Sequence, residues 1–205
     1  LNDEDGDNTF KLISKTIETE LHKSRYCISI GGDHSITYPI IAAYHKFFPK
    51  INIVHFDAHP DLYETFDNNP YSHASPFARI MENNLATSLT QFGIRTMNDH
   101  QREQAIRFNI NVVPINKSPR DVELKFSGPV YISIDLDGLD PAYAPGVSHP
   151  EPGGLSTRDI INFISKIEGE IIGADIVEYN PYKDINEITA ITAAKLLKEL
   201  MGRII

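Results

Sequence analysis

The fold of this chain is indicated by the stretch Ile51-Asn52-Ile53-Val54-His55-Phe56-Asp57-Ala58-His59-Pro60-Asp61, in which an apolar run leads directly into polar residues. The apolar part is typical of a strand buried in a parallel sheet. In an extended backbone, alternate side chains project to one face, so Asp57, His59 and Asp61 would point together from the end of this strand. Carboxylates and an imidazole that converge in a buried place cost several kcal/mol of desolvation, and a divalent cation is the simplest compensation.

The composition is that of a folded protein with one large core. The chain has 205 residues, of which 41% are hydrophobic and 23% are charged, and its formal net charge is −9. This acidic balance argues against a nucleic-acid partner. No apolar run approaches the roughly 20 residues that a transmembrane helix needs, so no membrane association is predicted. The single cysteine, Cys27, excludes an internal disulfide and favours a reducing, cytoplasmic location.

Short apolar runs alternate with helical patterns along the chain. Strands are predicted at 26–30, 51–56, 88–94, 110–115, 129–134 and 171–177, and helices near 8–24, 36–48, 75–84, 98–107, 157–167 and 186–201. This alternation is typical of βα units around a parallel sheet. No linker or repeat divides the chain, so we predict a single domain over 1–205. Within the unclear span 116–128, Ser118-Pro119-Arg120-Asp121 could open a short helix.

Two further polar clusters follow predicted strands. The first is Gly31-Gly32-Asp33-His34-Ser35, whose paired glycines permit a tight turn from a strand into a helix. The second is Ser133-Ile134-Asp135-Leu136-Asp137, in which Asp135 and Asp137 share a face by the alternation described above. Open parallel sheets bind ligands beyond the carboxyl ends of their strands, so all three clusters are expected on one rim.

The cluster that begins at Ser133 does not fit a calcium-binding loop. The run from Asp135 to Asp140 has the spacing of an EF-hand loop, but the twelfth position is Gly146 where that loop needs a bidentate Glu. The preceding segment also reads as a strand, whereas an EF-hand needs a helix there.

The clusters together supply four carboxylates and two imidazoles: His34, Asp57, His59, Asp61, Asp135 and Asp137. So much negative charge, with no thiolate, favours Mn²⁺ or a similar ion such as Co²⁺ or Fe²⁺ over a single zinc. Two ions about 3.5–4 Å apart could share a hydroxide generated near neutral pH, which would hydrolyse a polarised carbon or phosphorus centre. The spacing alone does not distinguish carbon from phosphorus.

With these motifs the chain closely resembles the ureohydrolase family of arginases and agmatinases. The resemblance extends to Asp175-Ile176-Val177-Glu178-Tyr179-Asn180-Pro181 and to two loops at 71–79 and 145–154, which look most like plant-type arginases and bacterial agmatinase-like relatives. It implies a three-layer αβα fold with a mainly parallel sheet and two manganese ions per subunit. Asp57 and Asp135 would bridge the ions. The other ligands would divide into two pairs, one on each ion: His34 with Asp61, and His59 with Asp137.

The resemblance also implies the reaction, in which hydroxide attacks the guanidinium carbon of a linear substrate and releases urea and an amine. Glu178 would grip the guanidinium, because a planar cation suits a carboxylate partner. His73 would shuttle protons to the leaving amine, work that suits an imidazole titrating near neutrality. His149, in a loop near the predicted site, could contact the substrate.

Agmatine and arginine are the leading substrates, which places the protein in polyamine biosynthesis or arginine metabolism with putrescine or ornithine as product. Agmatine is slightly ahead, because only Arg79 and Arg95 are candidates to anchor a substrate carboxylate. In addition, Leu62-Tyr63-Glu64-Thr65-Phe66 replaces the Asn-containing loop of animal and bacillary arginases. Guanidinobutyrate and formiminoglutamate rank behind. The resemblance also implies a homo-oligomer, either a trimer or a hexamer.

Two other readings remain open, a metal-dependent deacetylase and a metal-binding pseudoenzyme or subunit. The full two-metal set disfavours the deacetylase, which typically uses one zinc, and the intact ligand and catalytic residues argue against the pseudoenzyme. Members of the family that the chain resembles usually have on the order of a hundred residues before the Gly-Gly-Asp-His-Ser motif, a length compatible with ordinary domain sizes. Only 30 residues precede it here, so we expect an N-terminally incomplete chain that lacks the first edge strands of the sheet.

Overall fold

The computed structural model describes residues 3–24, 26–118 and 121–204. Its strands form one six-stranded sheet: β1 (Cys27–Ile30), β2 (Asn52–Phe56), β3 (Ser88–Phe92), β4 (Asn111–Val112), β5 (Lys125–Asp135) and β6 (Glu168–Val177). Their order across the sheet is β1-β6-β5-β2-β3-β4, and each neighbouring pair is parallel. The structure therefore confirms the predicted parallel sheet.

The helices of the described chain cover both faces of this sheet. They are α1 (Asp3–Lys23), α2 (Thr37–His45), α3 (Pro76–Glu82), α4 (Asp99–Arg107), α5 (Thr157–Lys166) and α6 (Ile188–Ile204). Apolar residues of α1 to α4 share one buried cluster with Ile53 and Tyr131 of the sheet. Residues of α5 and α6 share a second cluster with Val54 and Ile132. Successive strand residues face opposite sides of a sheet, so Ile53 and Tyr131 lie in one core and the next residues, Val54 and Ile132, lie in the other. The three-layer αβα fold is therefore confirmed.

The strand bounds differ from the expected ones mainly in two places. The strand predicted at 110–115 is reduced to the two residues of β4. Pro114 follows soon after, and it has no N–H to donate to a ladder. The other difference is β5, which begins at Lys125 because Lys125 still pairs with Glu168 of β6. Of the predicted helix start at 118–121, Pro119 and Arg120 lie outside the described residues.

Two helices begin with reciprocal caps that are local in sequence. Ser156 accepts the Asp159 N–H with its hydroxyl, and the Asp159 carboxylate accepts the Ser156 N–H at the start of α5. Asn98 and Gln101 form the same arrangement at α4. Such capping boxes satisfy donors that a helix terminus leaves open. Of the helices described, none has both the length and the apolar character needed to cross a bilayer.

The order of the strands places the three polar clusters together. β2 and β5 are neighbours in which Phe56 pairs with Ile134, so the next residues, Asp57 and Asp135, leave the sheet side by side. β1 lies beyond β6, and Ile30 pairs with Ile176. The residues that follow β1 and β6 therefore reach the same rim, as expected for the carboxyl ends of parallel strands.

Replacing Ser156 with Ala tests the cap of α5. The change removes the hydroxyl that accepts the Asp159 N–H, so we expect the free energy of unfolding to fall by about 1 kcal/mol. Urea unfolding at fixed metal concentration measures this difference. Ser165→Ala is the control, because the exposed Ser165 hydroxyl donates to the Asn162 carbonyl one turn back and caps no helix N-terminus. Equal losses in the two variants would contradict the capping role.

Candidate metal centre

The structure brings all six predicted ligand residues to one rim of the sheet. They lie on three segments. His34 opens a 3-10 turn after β1, and Asp57, His59 and Asp61 follow β2. Asp135 is the last residue of β5, and Asp137 lies in the 3-10 turn that follows it. Five of the six are buried, and the His59 side chain is 25% exposed. These side chains therefore have little contact with water.

The six residues form two groups that share Asp57. In the first group, His34 Nδ1 lies 2.9 Å from an Asp61 oxygen and 3.2 Å from oxygens of Asp57 and Asp135. In the second group, His59 Nδ1 lies 3.1 Å from Asp137 Oδ2 and 3.5 Å from Asp57 Oδ1. Each oxygen of Asp57 thus faces a different group. The pairs that the resemblance assigned to separate ions, His34 with Asp61 and His59 with Asp137, lie in separate groups.

Backbone amides orient three of the carboxylates. Asp57 Oδ1 accepts the His59 N–H at 2.6 Å, and Asp135 Oδ1 accepts the Asp137 N–H at 2.8 Å. Asp137 Oδ1 accepts the Ala58 N–H at 3.1 Å, which joins the turn after β5 to the turn after β2. Outer partners of this kind fix the direction in which a ligand oxygen points. The donor arrangement is therefore held by the fold.

The buried acidic and basic groups of this centre shift one another's pKa values. Burial, with the Asp57 charge added, raises the pKa of Asp61 to about 8 and that of Asp137 to about 6. Burial opposes a charge on His59, but hydrogen bonds to Asp137 and Asp57 prevail and raise its pKa to about 11. Burial also opposes ionisation of Asp57, yet bonds from the neighbouring imidazoles hold its pKa well below the usual range. Asp61 and Asp137 thus resist ionisation, whereas Asp57 ionises readily.

The donor set fits a divalent cation. His34 Nδ1 is buried and makes no hydrogen bond, although three carboxylate oxygens surround it. A second set of donor atoms, from Asp57, His59 and Asp137, lies within 4.8 Å of one another. Carboxylate oxygens mixed with imidazole nitrogens suit Mn²⁺ and related ions. An ion among these atoms would give the orphaned nitrogen a partner.

His55 is a contributor that the sequence interpretation treated only as a packed residue. Its ring lies against Phe77 at a centroid distance of 4.0 Å, and Nε2 is 2.9 Å from Asp57 Oδ2. The other ring nitrogen, Nδ1, lies 3.0 Å from the Gln91 amide nitrogen. Burial lowers the pKa of His55 to about 4, so the ring is neutral and orients Asp57. The alternation that selected Asp57 and His59 also includes His55, and could have found it.

A cavity of about 210 Å³ is lined by four of the six ligand residues, His59, Asp61, Asp135 and Asp137. Glu178, His73 and His149 line it together with Tyr63 and Phe66. The rings of His73 and His149 stack at a centroid distance of 5.6 Å with an interplanar angle of 5°. Glu178 follows β6 at φ 65°, and its carboxylate accepts the His34 N–H at 2.9 Å. A left-handed backbone is costly for this residue type, and here it coincides with a carboxylate at the cavity wall.

Neither candidate anchor for a substrate carboxylate is among the residues that line this cavity. Arg79 pairs with Glu82 on α3 at 2.7 Å. The Arg95 guanidinium donates to main-chain carbonyls of Gly93, Asp137, Gly138, Leu139 and Glu151. Arg95 therefore holds the turn that carries Asp137 against neighbouring loops.

The fold and the donor set together place this chain among three-layer α/β proteins that carry a candidate metal centre at the carboxyl ends of their strands. The Arginase family model matches residues 2–202. Arginase 1, mitochondrial, from Arabidopsis thaliana is 44% identical over 210 residues, covering 98% of this chain and 61% of the relative. Agmatinase from Bacillus subtilis (strain 168) is 33% identical over 196 residues, covering 93% and 68%. The chain belongs to the arginase family.

A solved structure agrees with this assignment. The arginase from Medicago truncatula superposes with a TM-score of 0.88 at 41% identity, covering 100% of this chain and 66% of that one. The chain thus spans about three fifths to two thirds of the length of these two arginases.

Replacing Gly138 with Ala tests the close approach between the turns after β5 and β2. An added Cβ would lie 2.7 Å from the Asp57 nitrogen, so the turns must separate. We expect the free energy of unfolding to fall by about 1–3 kcal/mol. Mn²⁺ uptake should weaken too. Urea unfolding and metal analysis of the purified protein measure both quantities.

The matched control is Gly202→Ala in α6, where an added Cβ meets nothing within 4 Å. Ala is favoured over Gly in a helix, so this variant should be as stable as the parent or slightly more so. If Gly138→Ala were as harmless as Gly202→Ala, the close approach would have no role in the site.

Proposed function

We propose that this protein is a binuclear manganese hydrolase that cleaves the guanidino group of agmatine or arginine to urea and putrescine or ornithine. The observation that carries the proposal is the arrangement of two imidazole–carboxylate groups that share Asp57 beside a cavity containing Glu178. Membership of the arginase family, with arginases and an agmatinase among the relatives, supports the reaction type.

The ligand assignment follows the two groups of the structure. His34 and Asp61 would hold one ion, His59 and Asp137 the other, with Asp57 and Asp135 shared. Two divalent ions lower the pKa of water, so that hydroxide is available as a nucleophile near neutral pH. The oxygen-rich donors favour Mn²⁺ among the ions that can do this.

The remaining chemistry belongs to side chains of the cavity. The Glu178 carboxylate would bind and orient the planar guanidinium through charge-assisted hydrogen bonds. One of its oxygens is already held by the His34 N–H, which restricts the direction of the other. A ring nitrogen of His73 would deliver a proton to the leaving amine nitrogen. His149, stacked on His73, would keep that ring in place and contact the substrate chain.

Two observations rank the substrates differently. No Lys or Arg is among the described residues that line the cavity, which favours agmatine because the carboxylate of arginine would lack a cationic partner. The higher identity to arginases than to the agmatinase favours arginine. Guanidinobutyrate and formiminoglutamate are further candidates, and they too carry a carboxylate.

The proposal includes assembly into a trimer or hexamer and a cytoplasmic location. Large apolar side chains are exposed on and beside the start of α6: Tyr179, Tyr182, Ile185, Ile188 and Ile191. Large exposed apolar side chains in one stretch of the chain support a protein–protein contact in this region. The location rests only on the single cysteine and stays a prediction.

The decisive experiment measures urea release by the purified protein on agmatine, arginine and guanidinobutyrate, after metal depletion and after reloading with Mn²⁺. We expect turnover with at least one substrate, lost on depletion and restored by Mn²⁺. Release of acetate from an acetylated amine instead would favour the deacetylase reading. Two bound ions without urea from any guanidino compound would indicate the pseudoenzyme.

Replacing His73 with Asn tests the proton shuttle. We expect kcat to fall by roughly 10²–10⁴-fold, the usual loss when a general acid is removed. Two bound ions should remain, because His73 is not among the ligands. Steady-state kinetics across pH and metal analysis check both points. His22→Asn, at an exposed position of α1, is the control, and an unchanged pH–rate profile in His73→Asn would contradict the role.

A further inference from the structure

Asp175 of β6 is a fully buried carboxylate that lies behind the metal centre. Ser133 donates to Asp175 Oδ1 at 2.6 Å, and Tyr131 and Thr37 donate to Oδ2 at 2.9 and 3.0 Å. Burial raises the pKa of this carboxyl, and the His34 charge and the hydroxyl bonds offset that effect only in part. A buried acid with hydroxyl partners alone is costly to maintain. Its position in the fold therefore calls for an explanation.

The explanation lies in the second partner of the Ser133 hydroxyl. Ser133 and Asp175 pair in register across β5 and β6, and Ser133 Oγ is 2.9 Å from His34 Nε2. A serine hydroxyl has one proton to donate. Because Ser133 gives it to Asp175, its oxygen can only accept from the imidazole. Nε2 of His34 must therefore carry a proton.

This bonding decides which nitrogen of His34 is available to a cation. With Nε2–H engaged by Ser133, only Nδ1 can offer a lone pair. Nδ1 is the nitrogen that faces Asp57, Asp61 and Asp135 and makes no hydrogen bond of its own. Asp175 accepts from the same hydroxyl and so fixes the direction in which the Ser133 oxygen faces the imidazole.

We infer that Ser133 and Asp175 are positioning residues that hold His34 in the tautomer and ring orientation that bind one of the two cations. The inference rests on the proposed metal site and deepens it. We call the hydrogen-bonded chain Asp175–Ser133–His34 the relay. His59 is not part of it, since its Nδ1 contacts are with Asp57 and Asp137. The relay therefore serves the ion on the His34 side and leaves the other ion without this support.

The experiment titrates metal-depleted protein with MnCl₂ by isothermal calorimetry, comparing the parent with Asp175→Asn and Ser133→Ala. Removing the outer partner of a metal-binding histidine typically weakens binding about 10–100-fold. We expect a loss of this size for one ion in both variants, with the second ion bound as in the parent. Circular dichroism of each metal-free variant verifies folding. Ser133→Ala keeps the test valid if the buried amide of Asp175→Asn prevents folding.

Thr37→Val is the matched control. It removes a buried hydroxyl that donates to the other oxygen of Asp175, so it costs a comparable hydrogen bond without interrupting the path to His34. Its metal-free form should be destabilised while both Mn²⁺ affinities stay unchanged. Equal weakening in all three variants, or weakening of both ions together, would mean a purely structural role and overturn the inference.

Failure of the inference can be told apart from failure of the proposed function. If the parent binds two ions and both Asp175→Asn and Ser133→Ala bind them with unchanged affinity, the relay is wrong and the metal centre stands. If the parent binds no Mn²⁺, the proposed metal centre is wrong and the relay falls with it.

Discussion

The structure depends on one electrostatic constraint, the burial of four carboxylates and two imidazoles at a single rim of the sheet. Burial first, and then repulsion from neighbouring carboxylates, raises the pKa values of Asp61, Asp135 and Asp137. Replacing buried charged groups by apolar residues of similar volume is often neutral or stabilising in proteins. A bound cation would offset the cost of burying these charges, so the charge pattern itself points to metal binding.

The fold holds this arrangement through its most rigid parts. Asp57 and Asp135 extend directly from paired central strands, and amides of the same turns fix their oxygens. Gly138 lets one turn lie against the backbone of the other, and Arg95 binds several carbonyls around them. Donors placed on strands and clamped turns keep their geometry better than donors on free loops. The tolerance of the site to change should therefore be smallest in these turns.

The sequence was most informative where chemistry follows local geometry. Alternation along a strand predicted that Asp57, His59 and Asp61 converge, and the structure brings them together with Asp135 and Asp137. The reason differs from the predicted one, because β2 ends at Phe56 and a turn, with Asp61 at φ 51°, aims these side chains. The sequence did not indicate contacts between residues that lie far apart in the chain. Nothing near Arg95 in the chain indicates the carbonyls around residue 138, and nothing near Asp175 indicates Ser133, because strand register creates both contacts. Register between strands far apart in sequence is what alternation cannot supply.

The charge constraint also links ion binding to stability. Asp61 ionises near its usual value in the unfolded chain, but at about 8 in the folded metal-free protein. Between these values the folded state holds a proton that the unfolded state has lost, so this residue favours folding less as pH rises from about 4 to 8. A bound cation removes that penalty, because it stabilises the carboxylate in the folded state only. Binding energy at the rim is therefore also folding energy, as is usual where a metal completes a buried cluster.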